Sequence, residues 1–318
     1  MRKYVSNLAP LMCEYTSYMQ ASKKWSATYA DSLSYFDRYC KDNYPEVKNL
    51  SQEMVNGWCA QRDSENNNSC ISRINAIVSF VNYLRKRGLT DVNSPTIPRK
   101  ETSTYIPHAF TEQELLNFFN ACDSVPVMPN TKINTTRRLT LPVFFRLLYS
   151  SGLRTNEARL LRRTDVDFSN GVLNIEYTKG AVQHFVVLHD SMLKLMKQYD
   201  TAISSLYHDR VYFFPSIRGG YYTRQWVQEN FRAMWYKFNT NYASAYELRH
   251  NYAIENINNW TDDGFGFNQK LHSLSKSMGH TEIESTKYYY SLTPRLADVM
   301  TAQTDENETI PEVHYESY

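Results

Sequence analysis

A chain of 318 residues, 42% hydrophobic and 21% charged, with 10 glycines and 11 prolines, is long enough for two hydrophobic cores and unlike disordered, collagen-like or low-complexity chains. Its apolar runs, such as Leu141 to Leu148 with Arg146 inside it, fall far short of the roughly 20 residues of a bilayer crossing. No apolar stretch follows Arg2 and Lys3, so neither a signal nor an anchor is indicated and a cytoplasmic location is expected. The net charge of +2 conceals an asymmetry, because residues 298–318 hold six acids and no Lys or Arg. Removing these six from 33 leaves 27 acidic against 35 basic residues over positions 1–297, a body at +8 that can bind a polyanion. The five cysteines (Cys13, Cys40, Cys59, Cys70, Cys122) are scattered, odd in number and never in a C-x-x-C spacing, which argues for reduced thiols and against a disulfide framework or a metal site.

In chain order, the first hundred residues read as helices. Tyr29, Leu33, Phe36 and Cys40 fall at helical spacing. Ile71, Ile74, Ile77 or Val78, Val81 and Leu84 form a longer stripe that stops at Gly88, a natural C-terminal cap. The basic turn Arg85-Lys86-Arg87 just before that cap either complements the helix dipole or contacts phosphates. Pro95, Pro98 and Pro107, spaced by small polar residues, break both periodicities. A linker is therefore expected over 95–108, separating an N-terminal unit (1–94) from a second one (109–297), with an acidic tail at 298–318. Residues 1–100 hold 14 basic and 9 acidic residues, so the N-terminal unit is the more basic.

Beyond the linker, Thr111-Glu112-Gln113-Glu114 is a capping-box pattern ahead of Leu115, Leu116, Phe118 and Phe119. Leu141 to Tyr149 continues as helix and ends at Ser150-Ser151-Gly152. The period then changes. Val172–Thr178 and Gln183–Leu188 are rich in β-branched and aromatic residues, and Lys179-Gly180-Ala181 between them can turn the chain into a hairpin. Helical patterns resume at Ser191–Tyr199, Thr223–Phe238 and Ala245–Ile257. A mainly α protein with one small antiparallel sheet in its second domain is expected.

The familiar phosphate-loop, dinucleotide, zincin and hydrolase motifs are missing from the sequence. What remains in the C-terminal half is a set of Arg, Lys, His and Tyr. Such a set suits a phosphodiester: two guanidiniums can bind its equatorial oxygens, and a tyrosine hydroxyl can serve as nucleophile without a metal.

Four stretches occur in a telling order. They are Leu148-Tyr149-Ser150-Ser151-Gly152-Leu153-Arg154-Thr155-Asn156-Glu157-Ala158, then Tyr177-Thr178-Lys179-Gly180 in the hairpin, Tyr246-Glu247-Leu248-Arg249-His250, and Met278-Gly279-His280 followed nine residues on by Tyr289. Each is weak alone. Together, over roughly residues 8–292, the chain resembles the tyrosine recombinases, the phage-integrase and Xer-like site-specific recombinases.

The resemblance implies a helical, SAM-like core-binding domain at the N-terminus and an α+β catalytic domain, forming a C-shaped clamp on DNA. It implies that Arg154 and Arg249 grip the scissile phosphate, a bidentate task that lysine does not replace. Lys179 resembles the general acid for the leaving 5′ oxygen, His280 bonds a phosphate oxygen or aids proton transfer, and Tyr289 is the nucleophile. The interval of nine from His280 selects Tyr289 over Tyr288 and Tyr290, whose side chains sit about 100° away around a helix. Tyr246 departs from the usual histidine of the family, at a position that varies within it. An unperturbed tyrosine titrates near about pH 10, so Tyr246 reads as a hydrogen-bonding substitute that puts full activity in question. Glu157 is expected to support Arg154, and His250 to be a packed structural residue. His184, His189 and His272 read as ordinary strand or surface histidines.

Candidate DNA contacts are Arg85, Lys86, Arg87, Arg99 and Lys100. The implied function is cleavage and rejoining of DNA through a 3′-phosphotyrosyl intermediate, with no cofactor because that bond conserves the phosphodiester energy. The implied partners are double-stranded recombination sites, three further protomers in a synaptic homo-tetramer, a monomeric free form and accessory proteins. A mobile-element integrase or transposase, or a Xer-like protein, fits the short stretch ahead of Ser26. The alternatives are a DNA-binding relative that has lost catalysis and a type IB topoisomerase-like enzyme.

Overall fold

The computed structural model describes residues 4–22, 25–101, 107–126, 131–176, 183–260 and 266–290. The chain folds into two compact units, residues 1–105 and 106–318.

The first unit is helical: α1 (Ala9–Ala21), α2 (Ala27–Asn43), α3 (Gln52–Cys59) and α4 (Asn67–Arg85). Side chains that favour N-caps start three of them, with Ser26, Ser51 and Asn66 each accepting from a backbone N–H three residues on. Helix α4 packs against the other three, and its predicted stripe is the core: Ile74, Ile77, Val81 and Leu84 are buried with Leu33 and Phe36 of α2 and Tyr15 of α1. The helix stops where expected. Gly88 takes φ +66°, and the amides of Gly88 and Leu89 return to the carbonyls of Arg85 and Leu84.

In the second unit, α5 (Glu112–Asp123) opens with the predicted capping box between Thr111 and Glu114. It packs on α6 (Lys132–Ser151), a long helix with Pro142 inside it that also contacts α8 (Asp190–Ser204) and α10 (Glu247–Asn258). Between α6 and α8 lie the short α7 (Thr155–Leu160), a turn of 3₁₀ helix at Arg163–Asp165, and strands β1 (Val166–Asp167), β2 (Val172–Ile175) and β3 (His184–Val187). The hairpin is thus part of a three-stranded antiparallel sheet of order β1-β2-β3. Leu173 opposite Val186 and Ile175 opposite His184 face inward, whereas Phe185 and Val187 face solvent. Helices α9 (Arg224–Trp235), α11 (Phe267–Ser277) and α12 (Glu284–Tyr290) complete the unit. A satellite cluster of Ala253, Ile254, Ile257, Leu274, Met278 and Tyr289 ties α10, α11 and α12 together. No helix among the described residues is long and apolar enough to cross a membrane.

Candidate active site

Helix α6 ends at Ser151 because Gly152 turns left-handed, φ +63°. Any side chain there is excluded twice over: L residues disfavour that region, and a Cβ would lie 2.3 Å from the Tyr252 ring. The reversal delivers Arg154 to the start of α7. There the Glu157 carboxylate, 2% exposed, accepts from the Arg154 backbone N–H at 2.8 Å and from its Nη1 at 2.7 Å. The other terminal nitrogen of Arg154 donates to the Gly279 carbonyl at 2.9 Å. Glu157 therefore holds Arg154, as its sequence position suggested.

Arg249, on α10, is 1% exposed. Its Nη1 donates to the Gly152 carbonyl at 2.6 Å, and its Nη2 donates to the Met278 carbonyl at 2.8 Å and to His280 Nε2 at 2.8 Å. These partners are carbonyls and an imidazole rather than a carboxylate, and Nε has no hydrogen-bond partner among the described residues. Burial, and then the neighbouring Arg154 charge, hold this guanidinium below the usual arginine range. Both arginines thus fasten onto the turn after α11. That turn needs glycine: Gly279 has φ +63°, and a Cβ on it would lie 2.6 Å from Cε1 of His184. His184, read as an ordinary strand histidine, is buried behind this turn.

An arginine can only donate, so His280 Nε2 must accept from Arg249 and its proton must sit on Nδ1, which is 2.6 Å from Thr286 Oγ1. Burial first, then the charges of Arg249 and Arg154, push the imidazole down to about 4. His280 is a neutral ring in this state.

Tyr289 lies on α12, 4% exposed. Its ring stacks near His280, with centroids 6.3 Å apart, and its hydroxyl is 3.1 Å from Nδ1 of His250. Burial raises the phenol to about 12, while Arg249 pulls the other way. Tyr288 is 41% exposed, and its ring meets that of Tyr289 edge-on at 5.6 Å. His250 is more than packing: besides touching the Tyr289 hydroxyl, its ring meets Tyr246 edge-on at 4.9 Å. Burial and Arg249 push it down to about 4 as well.

Arg154, Tyr246, His280 and Tyr289 line one cleft of about 670 Å³, and buried Arg249 reaches it through the His280 ring. Five of the sequence-derived site residues are therefore together. Lys179 and the tail 298–318 lie outside the described residues. Arg85, Lys86, Arg87, Arg99 and Lys100 are exposed on the first unit, with the Arg87 guanidinium 3.9 Å above the Tyr83 ring. Arg224, overlooked in the sequence, also lines the cleft; its Nε shares Asn156 Oδ1 with Arg159. One signal was available, since a basic residue in the first turn of a helix opposes its dipole. The cleft is rich in arginine: three converge on it or on its wall, and of these, among the described residues, only the Arg154 guanidinium is bonded to a carboxylate.

Residues 108–295 match the phage integrase family. The chain belongs to that family, the tyrosine recombinases. Among the chain's relatives, a protein of Sinorhizobium fredii named integrase/recombinase y4rE is 30% identical over 192 residues, which span 58% of this chain and 59% of that one. The chain thus spans under two thirds of this relative. Tyrosine recombinase XerC of Bacillus pumilus is 22% identical over 303 residues, 90% of this chain and 92% of that protein. The Tn1549 transposon integrase, solved in complex with transposon right end DNA, shares the fold of this chain with a TM-score of 0.58 at 12% identity, over 94% of this chain and 99% of that one.

Proposed function

We propose that this recombinase cleaves and rejoins DNA at specific sites through Tyr289. The observation that carries the reading is the tyrosine hydroxyl held in the wall of an arginine-lined cleft, with His280 stacked beside it. Tyr289 Oη attacks the scissile phosphorus, the 5′ oxygen leaves, and the 3′-phosphotyrosyl bond keeps the phosphodiester energy for a partner strand to reclaim. The phosphate's negative charge pairs with Arg154 and Arg249 and relieves the burial of an arginine that lacks a carboxylate. Lys179 protonates the leaving oxygen, a role carried over from the family resemblance.

Exchange between two duplexes breaks four strands. One tyrosine per chain then calls for four protomers on two double-stranded sites, assembled from free monomers with accessory proteins setting direction. The N-terminal helical unit, with Arg85, Lys86, Arg87, Arg99 and Lys100, serves as a core-binding domain on the duplex, working in the cytoplasm. An integrase/recombinase and a transposon integrase among the similar proteins support a mobile-element role.

The test is a covalent trap. Nicked duplexes from the DNA flanking the gene are incubated with wild type and with Tyr289→Phe, run under denaturing conditions and mapped by peptide mass spectrometry. An adduct on Tyr289 that the variant lacks is expected. A native-gel shift without any adduct would overturn the catalytic reading in favour of a DNA-binding relative, and an adduct on Tyr288 or Tyr290 would overturn the assignment of the nucleophile.

A further inference from the structure

The family's histidine three residues before the second arginine is Tyr246 here, and a phenol is a poor proton acceptor at neutral pH. His250 lies one helical turn after Tyr246, on the same face of α10. The rings of Tyr246, His250 and Tyr289 follow one another, with centroids 4.9 Å and then 5.4 Å apart. Nδ1 of His250 is 3.1 Å from the Tyr289 hydroxyl. The other nearby imidazole is already committed: His280 spends Nε2 on Arg249 and its Nδ1 proton on Thr286. Among the described residues, His250 is therefore the imidazole bonded to the nucleophile's oxygen.

We infer that His250 is a catalytic residue, the base that takes the Tyr289 proton as Oη bonds to phosphorus and returns it when the strand is rejoined. This rests on the proposed role of Tyr289. In the forward step the Oη–P bond forms, the P–O5′ bond breaks, the phenolic proton moves to Nδ1, and the general acid supplies a proton to the 5′ oxygen. In the reverse step an incoming 5′ hydroxyl attacks phosphorus, the general acid recovers that proton, and Oη leaves with the proton held on Nδ1. The sequence is closed and consumes nothing. A neutral, buried imidazole is available for this at neutral pH. The mismatch with the phenol shrinks during the reaction, because Oη sheds its proton readily only once it is bonding to phosphorus, and the phosphate's charge favours the imidazolium.

His250→Asn is the informative variant, since its amide oxygen can occupy the place of Nδ1 and accept the same hydrogen bond without taking the proton. The readout is the rate of Tyr289 adduct formation on a duplex whose scissile 5′ oxygen is replaced by sulfur, a leaving group that does not require protonation. Wild type should react at a rate nearly flat from neutral pH upward. His250→Asn should be slower by about 10²–10⁴-fold near neutrality and should regain about tenfold per pH unit as hydroxide replaces the base. Native-gel binding should be unchanged. Should Asn fail to fold, His250→Ala supplemented with free imidazole should recover adduct formation in proportion to added imidazole. A variant as fast as wild type, or one slowed equally at every pH and not rescued, overturns the inference while the adduct on Tyr289 leaves the parent reading standing. If wild type forms no adduct at Tyr289, both fall.

Discussion

Burying His250 beside Arg249 makes its neutrality a measurable part of stability. Its folded value is pushed from 6.5 to about 4, below the unfolded one, so the unfolded chain takes up the proton first as pH falls. The contribution is fully present above about pH 6.5 and is lost progressively between there and about pH 4. Linkage over the drop from about pH 7.5 to about pH 5 gives a loss of about 2 kcal/mol from this one ring, 8% exposed. His250→Asn does not titrate and should be spared that loss. Urea unfolding of the full chain at the two pH values supplies the difference, and comparison with wild type cancels the carboxylates. Glu65 and Glu114 are in any case held below their usual 4.5, so their own losses begin lower. Parallel pH profiles for wild type and variant would refute the reasoning, because they would mean that the folded protein admits the imidazolium at no cost.

Gly152→Ala combines a left-handed backbone with a Cβ 2.3 Å from the Tyr252 ring, and should cost about 2–5 kcal/mol in a denaturant melt; a loss under about half a kcal/mol would contradict the packing described. Arg249→Lys abandons the fork that joins the Gly152 and Met278 carbonyls to His280, and adduct formation should fall by at least about 10²-fold while duplex binding persists on native gels. Tyr288→Phe, at an exposed position, should leave adduct formation within about twofold of wild type, which a cleavage time course will show. For the first unit, replacing Arg85, Lys86, Arg99 or Lys100 singly by Gln should weaken duplex binding at every sequence and lower the salt-dependence slope by about one, measured by titration at several salt concentrations. An unchanged slope would remove that residue from the phosphate contacts.

Local signals in the chain were enough for several of its helices, and the resemblance for most of the candidate site's membership. The stripe from Ile74 to Leu84, the Gly88 stop, the Thr111–Glu114 box and the Gly152 stop are short-range effects of propensity, capping and φ, and the structure repeats them. Strand β1 and helix α1 show why other elements were not legible. Strand β1 has two residues, too few for a period, and exists because β2 offers it an edge. Helix α1 lacks a clean stripe, since its buried Met12, Tyr15, Thr16 and Met19 mix polar with apolar residues.

The family resemblance, carried by motif order and the nine-residue interval, pointed to Arg154, Arg249, His280 and Tyr289, which stand on different elements of the second unit. The partners of those groups could not be read the same way. That Arg249 would bond the carbonyls of Gly152 and Met278, that His280 would carry its proton toward Thr286, and that His250 would meet the Tyr289 hydroxyl all depend on α6, α10, α11 and α12 converging from positions up to about a hundred residues apart. Sequence by itself determined which residue types stand at which turns, since capping, propensity and spacing act over a few residues. Only the tertiary structure decided which imidazole touches the nucleophile, since protonation and burial are set by whatever the rest of the chain packs against them.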